Sequence, residues 1–220
     1  ATRHSVETVT PVQKQARELE ASGDYAGAAR LYISAASRAT AGKEQQALQL
    51  QAAASLIRGE DFAAARRLLD EMPPTLASSD LQQHYSVNRA AIALAEQHPL
   101  EALALLDTVS AGGAYAVDLH RLRAEAYLQE FRYFLSARER VQLDPLLTDP
   151  EARLDNEFAI WETLNRLTDV ELQQLRTAPP PDPLSGWMEL VELSRLYLQQ
   201  PEALAEVTPH WQQRYPGHPA

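Results

Sequence analysis

Small and large apolar residues recur through the first half of the chain at a fixed step of 37 residues. Shifted by that step, Ala16, Ala53 and Ala90 superpose, as do Ala28, Ala65 and Ala102. Tyr32, Leu69 and Leu106 follow four residues later, and Ala35, Met72 and Val109 three after those. A further copy at a step of 35 carries Ala137 and Val141, with Glu125 in the place of Ala16. Apolar positions three and four apart inside a constant longer period predict helix pairs that stack on their neighbours. The alanines let helix backbones approach where they cross, and the large residue one turn on fills the space beside them.

The polar positions between apolar stretches read as turns. Ser22-Gly23-Asp24, Gly59-Glu60-Asp61 and Gln97-His98-Pro99 separate the two helices of each pair: a glycine supplies a left-handed residue, a short polar side chain caps the next helix, and Pro99 sits in a first turn. Thr10-Pro11 opens the first helix, and Ala41-Gly42, Pro73-Pro74 and Gly112-Gly113 separate the pairs. After Leu147 the period fades. Asp149 and Pro150 start a helix with Phe158, Ile160, Trp161, Leu164 and Leu167 on its apolar side; Thr168 and Glu171 have capping-box spacing. Pro179 to Pro183 is an extended connector. A helix over 185–199 follows, with Leu190, Leu193, Leu196 and Tyr197 as its apolar residues, then one from Pro201 to Arg214 with Trp211, kinked or restarted at Pro209. Residues 215–220 read as an exit linker.

Composition supports this reading. The 220 residues include 36 Ala and 32 Leu against 10 Val and 4 Ile, which favours helix over strand. Twenty basic against thirty acidic side chains give a net charge of −10 with no basic stripe, so nucleic acid is excluded as an expected partner. No apolar run approaches the length that crosses a bilayer. The absence of cysteine removes thiolate chemistry, disulfides and cysteine-based zinc sites.

Catalytic signatures are missing: no glycine-rich phosphate loop, nucleophile elbow or His-Glu-x-x-His is present, and the eight glycines all read as turn residues. No two of the six histidines are four apart, so no metal and no cofactor are expected. Carboxylates such as Glu60 and Asp61 at a helix start are explained by capping and the helix dipole. Trp161, Trp187 and Trp211 are either core residues of the second lobe or a platform for stacking sugar rings. Arg132, Tyr133, Arg138 and Arg140 form a local basic and aromatic run that a solvated helix face also explains.

Gly23-Asp24-Tyr25 with Ala16, Ala28, Tyr32 and Ala35 resembles the tetratricopeptide repeat, whose period is about 34. The fold class expected is therefore all-α: tetratricopeptide-like stacked helix pairs, an α-solenoid, over 1–147, with a helical second lobe over 148–220. In that register the first helix of each pair lines a concave groove. The candidate groove positions are Ala47, Leu50, Ala54 and Ile57, then His84, Val87, Ala91 and Leu94, then Leu119, Leu122, Ala126 and Gln129. So apolar a surface has to be covered, by the protein itself or by a docked helix or peptide.

Longer stretches carry a more specific likeness. Gly-Asp-Tyr-x-x-Ala-Ala-Arg-Leu-Tyr at the start, Ala159-Ile160-Trp161-x-x-Leu164 in the middle, Gly186-Trp187-Met188-Glu189-Leu190 and the closing Trp211-Gln212-Gln213-Arg214-Tyr215-Pro216-Gly217-His218-Pro219-Ala220 resemble the N-terminal domain of the penicillin-binding protein activator family LpoA. The resemblance implies a non-catalytic regulatory and spacer domain of a periplasmic lipoprotein held on the outer membrane by a lipid. It also implies, as partner, a bifunctional class A penicillin-binding protein in peptidoglycan synthesis, contacted chiefly through a C-terminal domain outside this sequence. Peptidoglycan and other periplasmic proteins are further implied partners. The lipidated cysteine of that family has no counterpart here, so the sequence is expected to be an excised domain. A freestanding tetratricopeptide adaptor that captures a peptide in its groove is the alternative.

Overall fold

The computed structural model describes residues 11–40, 42–177, 180, 183–198 and 200–220. The expectations for Thr10, Ala41, Pro179, Pro181, Asp182 and Gln199 lie outside the described residues. Among those described, regular structure consists of twelve α-helices and one 3₁₀ turn, in two compact units, one ending at Ser110 and the other beginning at Ala111.

The first unit contains α1 (Pro11–Ala21), α2 (Tyr25–Ala36), α3 (Lys43–Arg58), α4 (Phe62–Asp70), α5 (Ser79–Ala95) and α6 (Pro99–Leu106). They pair in sequence, and α3 also packs on α2 and α5. Ala16, Ala28, Ala53, Ala65, Ala90 and Ala102 are all fully buried, as are Leu69 and Leu106. The repeated positions are therefore the crossing points of the pairs.

The second unit contains α7 (Ala116–Gln129), α8 (Tyr133–Leu143), the 3₁₀ turn Asp144–Leu146, α9 (Pro150–Leu164), α10 (Asp169–Thr177), α11 (Leu184–Leu196) and α12 (Pro201–Arg214). The two compact units meet in the sequence between Ser110 and Ala111. The cause is on α8, where Ala137 and Val141 join one core with Ile160, Leu164, Trp187 and Val191, so the fourth helix pair belongs with the helices that follow it.

Each turn inside a pair is built the same way. Gly23, Glu60, Gln97 and Phe131 are left-handed, with φ of 84°, 60°, 63° and 58°. Their N–H groups reach back to Glu20, Ile57, Leu94 and Leu128 at about 3.0 Å. The next N–H groups, of Asp24, Asp61, His98 and Arg132, bond Leu19, Leu56, Ala93 and Tyr127. This two-bond closure of a helix end is the Schellman motif. The left-handed residue of the second turn is Glu60, whereas Gly59 has φ −85°. What Gly59 provides is room, since a Cβ there would stand 3.0 Å from the Cβ of Tyr25. Asp24 and Asp61 cap their helices through Gly27 N and Ala64 N; His98 and Arg132 make no side-chain cap.

The turn positions also reset the fourth copy. From Gln97 to Phe131 the step is 34, and at that step Ala90 maps to Ala124 and Ala102 to Ser136, both fully buried, with Ser136 Oγ donating to Ala124 O at 2.7 Å. The copy that looked degenerate at a step of 35 keeps both small residues. The repeat holds a second device as well: Gln46 and Gln83, 37 apart, accept from the N–H of Ala77 and Ser110 at 2.8 and 2.9 Å, tying the loop after each pair to its first helix.

Several expectations for the second unit change. Asp149 caps α9 through Ala152 N, and Thr168 and Glu171 form a complete capping box, but Phe158 is 60% exposed. Helix α11 buries Leu184, Trp187, Met188 and Val191; of the expected apolar residues, Leu190 packs half-buried against that core, Leu193 and Tyr197 are half-buried, and Leu196 is exposed. Helix α12 runs through Pro209 unbroken. Gly27 and Gly186 are helical rather than turn residues.

Candidate functional site

None of the twelve groove positions is exposed. In the first unit Leu50, Val87 and Leu94 are buried and Ala47, Ala54, Ile57, His84 and Ala91 half-buried; in the second, Leu119, Leu122 and Ala126 are buried and Gln129 half-buried. Leu50 shares a core with Ala53, Leu69 and Ile92, so it is packing rather than lining. Polar groups on these helices are spent on structure: Asn88 Nδ2 donates to Leu50 O at 3.0 Å, and Ser55 Oγ to Glu20 at 2.5 Å, with Arg58 also on Glu20 at 2.7 Å. Burial, and secondarily the Glu20 carboxylate, raises the Tyr32 phenol above its ordinary value.

The basic run of α8 does not act as one patch. Arg132 lies over the Tyr127 ring at 5.2 Å, Arg138 is exposed, and Arg140 is half-buried, its guanidinium held below its ordinary range by burial against the opposing effect of Glu125. Two of the three tryptophans, Trp187 and Trp211, are core residues, which removes the flat platform that sugar stacking needs.

Residues 215–220, expected to leave the fold, pack onto the start of α11. The His218 ring lies 5.0 Å from the Trp187 ring and 4.9 Å from the Trp211 ring, both edge-on. It donates from Nε2 to Pro183 O at 2.8 Å and accepts from Ala220 N at Nδ1. Trp211 Nε1 donates to Gly186 O at 3.0 Å. Gly186 is what permits this, since a Cβ there would meet the His218 ring at 2.6 Å.

Beside this packing lies a cleft of about 700 Å³, walled by α9, the 3₁₀ turn and the closing segment. Asp144, Glu157, Arg153, Trp187, Tyr215 and His218 line it. Arg153 Nε stands 3.9 Å from Asp144 while its other nitrogen bonds Leu147 O. Burial, then Asp144, push the Glu157 carboxyl above the usual carboxylate range against the opposing effect of Arg153. Trp187 is 3% exposed and its Nε1–H finds no acceptor among the described residues. The cleft was missed because reading 215–220 as a linker left Asp144 and Glu157 on unrelated helices. A lone Gly186 inside a helical pattern was the one available signal of close approach.

The fold is thus a helix-pair repeat continued into a second helical unit, and among the described residues no helix is long and apolar enough to cross a membrane. The chain belongs to the LppC lipoprotein family, whose model, described as "LppC putative lipoprotein", matches residues 24–220. It is 29% identical over 182 residues, 78% of its length, to the penicillin-binding protein activator LpoA of Edwardsiella ictaluri, and spans 25% of that protein. The amino-terminal domain of E. coli LpoA superposes with a TM-score of 0.73 at 20% identity, covering 87% of this chain and 85% of that domain. Full-length LpoA of Haemophilus influenzae gives 0.70 at 22%, with 86% of this chain and 35% of that one covered. The tetratricopeptide-like helical stack is therefore the fold of this domain.

Proposed function

We propose that the chain is a non-catalytic helical module of a penicillin-binding protein activator, serving regulation and reach rather than chemistry. The observation that carries this is the family match over residues 24–220 together with relatives named as activators. Stacked pairs lengthen without a growing core, so such a module presents surface and distance at constant stability per repeat. In this reading the whole protein sits in the periplasm, attached to the outer membrane by a lipid, and stimulates a bifunctional class A penicillin-binding protein mainly through a domain beyond this chain. A peptide-capturing adaptor is disfavoured by the burial of Leu50, Val87 and Leu94.

The test is a glycan-polymerisation and cross-linking assay with a purified class A penicillin-binding protein. The 220-residue chain alone is expected to leave both rates within about twofold of baseline, while a whole protein carrying it raises them. Hydrolysis of peptidoglycan by the chain, or no stimulation by the whole protein, overturns the proposal.

A further inference from the structure

We infer that the outward face of α9 is a docking surface for an amphipathic helix of a partner protein, one whose apolar residues are flanked on one side by lysines or arginines. The inference stands on this face alone and does not require the proposed activator role.

Helix α9 carries more apolar residues than its own core uses. Ile160 and Leu164 are fully buried in the second unit with Ala137, Trp187 and Val191. Leu154 and Phe158 stand on another side of the helix, 66% and 60% exposed, and Trp161, half-buried against the core, continues their line. These three occupy positions i, i+4 and i+7, the spacing with which one helix anchors on another. The elements packed on α9, namely α8, α11 and the 3₁₀ turn, leave Leu154 and Phe158 open. Apolar residues scattered singly over a surface need no explanation, whereas these stand on successive turns of one stripe.

Charge names the occupant. Glu151, Asp155 and Glu162 are exposed and follow one edge of the stripe, recurring at i, i+4 and i+11. None of their carboxylates has a hydrogen-bond or ion-pair partner among the described residues. The nearby cations are engaged elsewhere: Arg153 bonds Leu147 O and lies 3.9 Å from Asp144, and Arg166 lies over the Tyr133 ring at 5.9 Å. A partner with basic side chains beside its apolar anchors meets these carboxylates and is oriented by them. An anionic lipid surface is repelled by the same edge. A second copy of this chain, at a net charge of −10, is repelled as well.

The probe is a fluorescein-labelled helical peptide with leucines at i, i+4 and i+7 and lysines along one flank. Its binding is read by fluorescence anisotropy on the 220-residue chain and on a whole protein carrying it. The peptide is expected to bind both, and Leu154→Ser with Phe158→Ser to weaken the dissociation constant about tenfold or more. Because both side chains are exposed, that double variant is expected to keep the parent's urea midpoint. The control Leu100→Ser, at a residue 64% exposed on α6, is expected to leave binding unchanged. Glu151→Gln with Glu162→Gln is expected to weaken the lysine peptide and to leave a glutamine-flanked analogue unaffected. The inference is overturned if the lysine peptide does not bind, or if it binds the double serine variant as well as the parent, which is non-specific attraction to an acidic chain. A glutamate-flanked analogue that binds as tightly overturns it too, as does binding lost in the whole protein because a further domain covers α9. Self-association of the chain in sedimentation velocity, abolished by the two serines, assigns the face to a second copy and overturns it equally.

Discussion

Nδ1 of His120 on α7 lies 2.8 Å from Oε2 of Glu139 on α8, and both side chains are buried inside the second unit. In the preceding repeat Ser86, 34 residues before His120, shares a hydrogen bond of 2.9 Å with Thr108, just past the end of α6. At His120 the hydroxyl of Ser86 gives way to an imidazole that is the hydrogen-bond partner of the buried Glu139 carboxyl. Removing that partner leaves an acid buried without compensation, which costs about 3–5 kcal/mol. His120→Ala is therefore expected to lower the urea midpoint sharply, and His120→Leu with Glu139→Leu to recover most of the loss. Equal losses for the single and double variants would show that packing, not the polar tie, sets the stability.

Phe131 is the one bulky left-handed residue of the four pair turns, and its side chain is 76% exposed. It touches little that could compensate, apart from an edge contact with Tyr133 at 6.4 Å between ring centres. A left-handed residue with a Cβ costs roughly 1–2 kcal/mol relative to glycine, partly offset by the greater freedom of glycine in the unfolded chain. Phe131→Gly is expected to raise the melting midpoint by a few degrees, measured by circular dichroism at 222 nm. Gly23→Ala is expected to lower it, since it imposes the same strain at φ 84°.

How far the fold could be read from the sequence depended on where the information sits. The 37-residue ladder of Ala16, Ala28 and their successors carried the first three pairs because each position does one repeated job, and that job needs a small residue. The fourth pair was misaligned by one residue because Ser136 serves in place of alanine, a substitution hidden from a search for apolar matches. The cleft was illegible for a different reason: Asp144, Glu157 and His218 meet only through tertiary packing, and a terminal Tyr-Pro-Gly-His-Pro string gives no periodicity to read.

Gly186 and His218 test whether that terminal packing holds the second unit together. An alanine methyl at 186 would stand 2.6–2.8 Å from the imidazole, so the closing segment has to lift or α11 has to shift. Overpacking of this kind costs about 1–3 kcal/mol. Gly186→Ala is expected to destabilise the chain and to shift the Trp187 and Trp211 indole signals, while adding it to His218→Ala costs much less than its effect alone. Strict additivity of the two changes would show that the imidazole is not what Gly186 accommodates.

The two shifted carboxyls of the second unit, Glu171 in the first turn of α10 and Glu157 midway along α9, predict opposite responses to acid. Thr168 holds the Glu171 carboxylate below its ordinary value, first through its backbone N–H and then through its hydroxyl, at 2.7 and 2.8 Å. The folded state therefore favours the charged form. That contribution is present above the unfolded carboxylate range and fades as pH falls through the folded value; the group is exposed, so the effect is small. Glu157 is shifted the other way by burial and Asp144, so the folded state favours the protonated form. Its charge costs stability above the raised value, and the cost disappears as pH falls through it. Glu157→Gln is accordingly expected to stabilise the chain near neutral pH by less than about 1 kcal/mol, with the gain vanishing toward pH 4, whereas Glu171→Gln destabilises near neutrality and becomes silent in acid. Urea midpoints of both variants against the parent across that range check the signs; a Glu157→Gln variant weaker than the parent at neutral pH would mean that Arg153, not Asp144, governs that carboxyl.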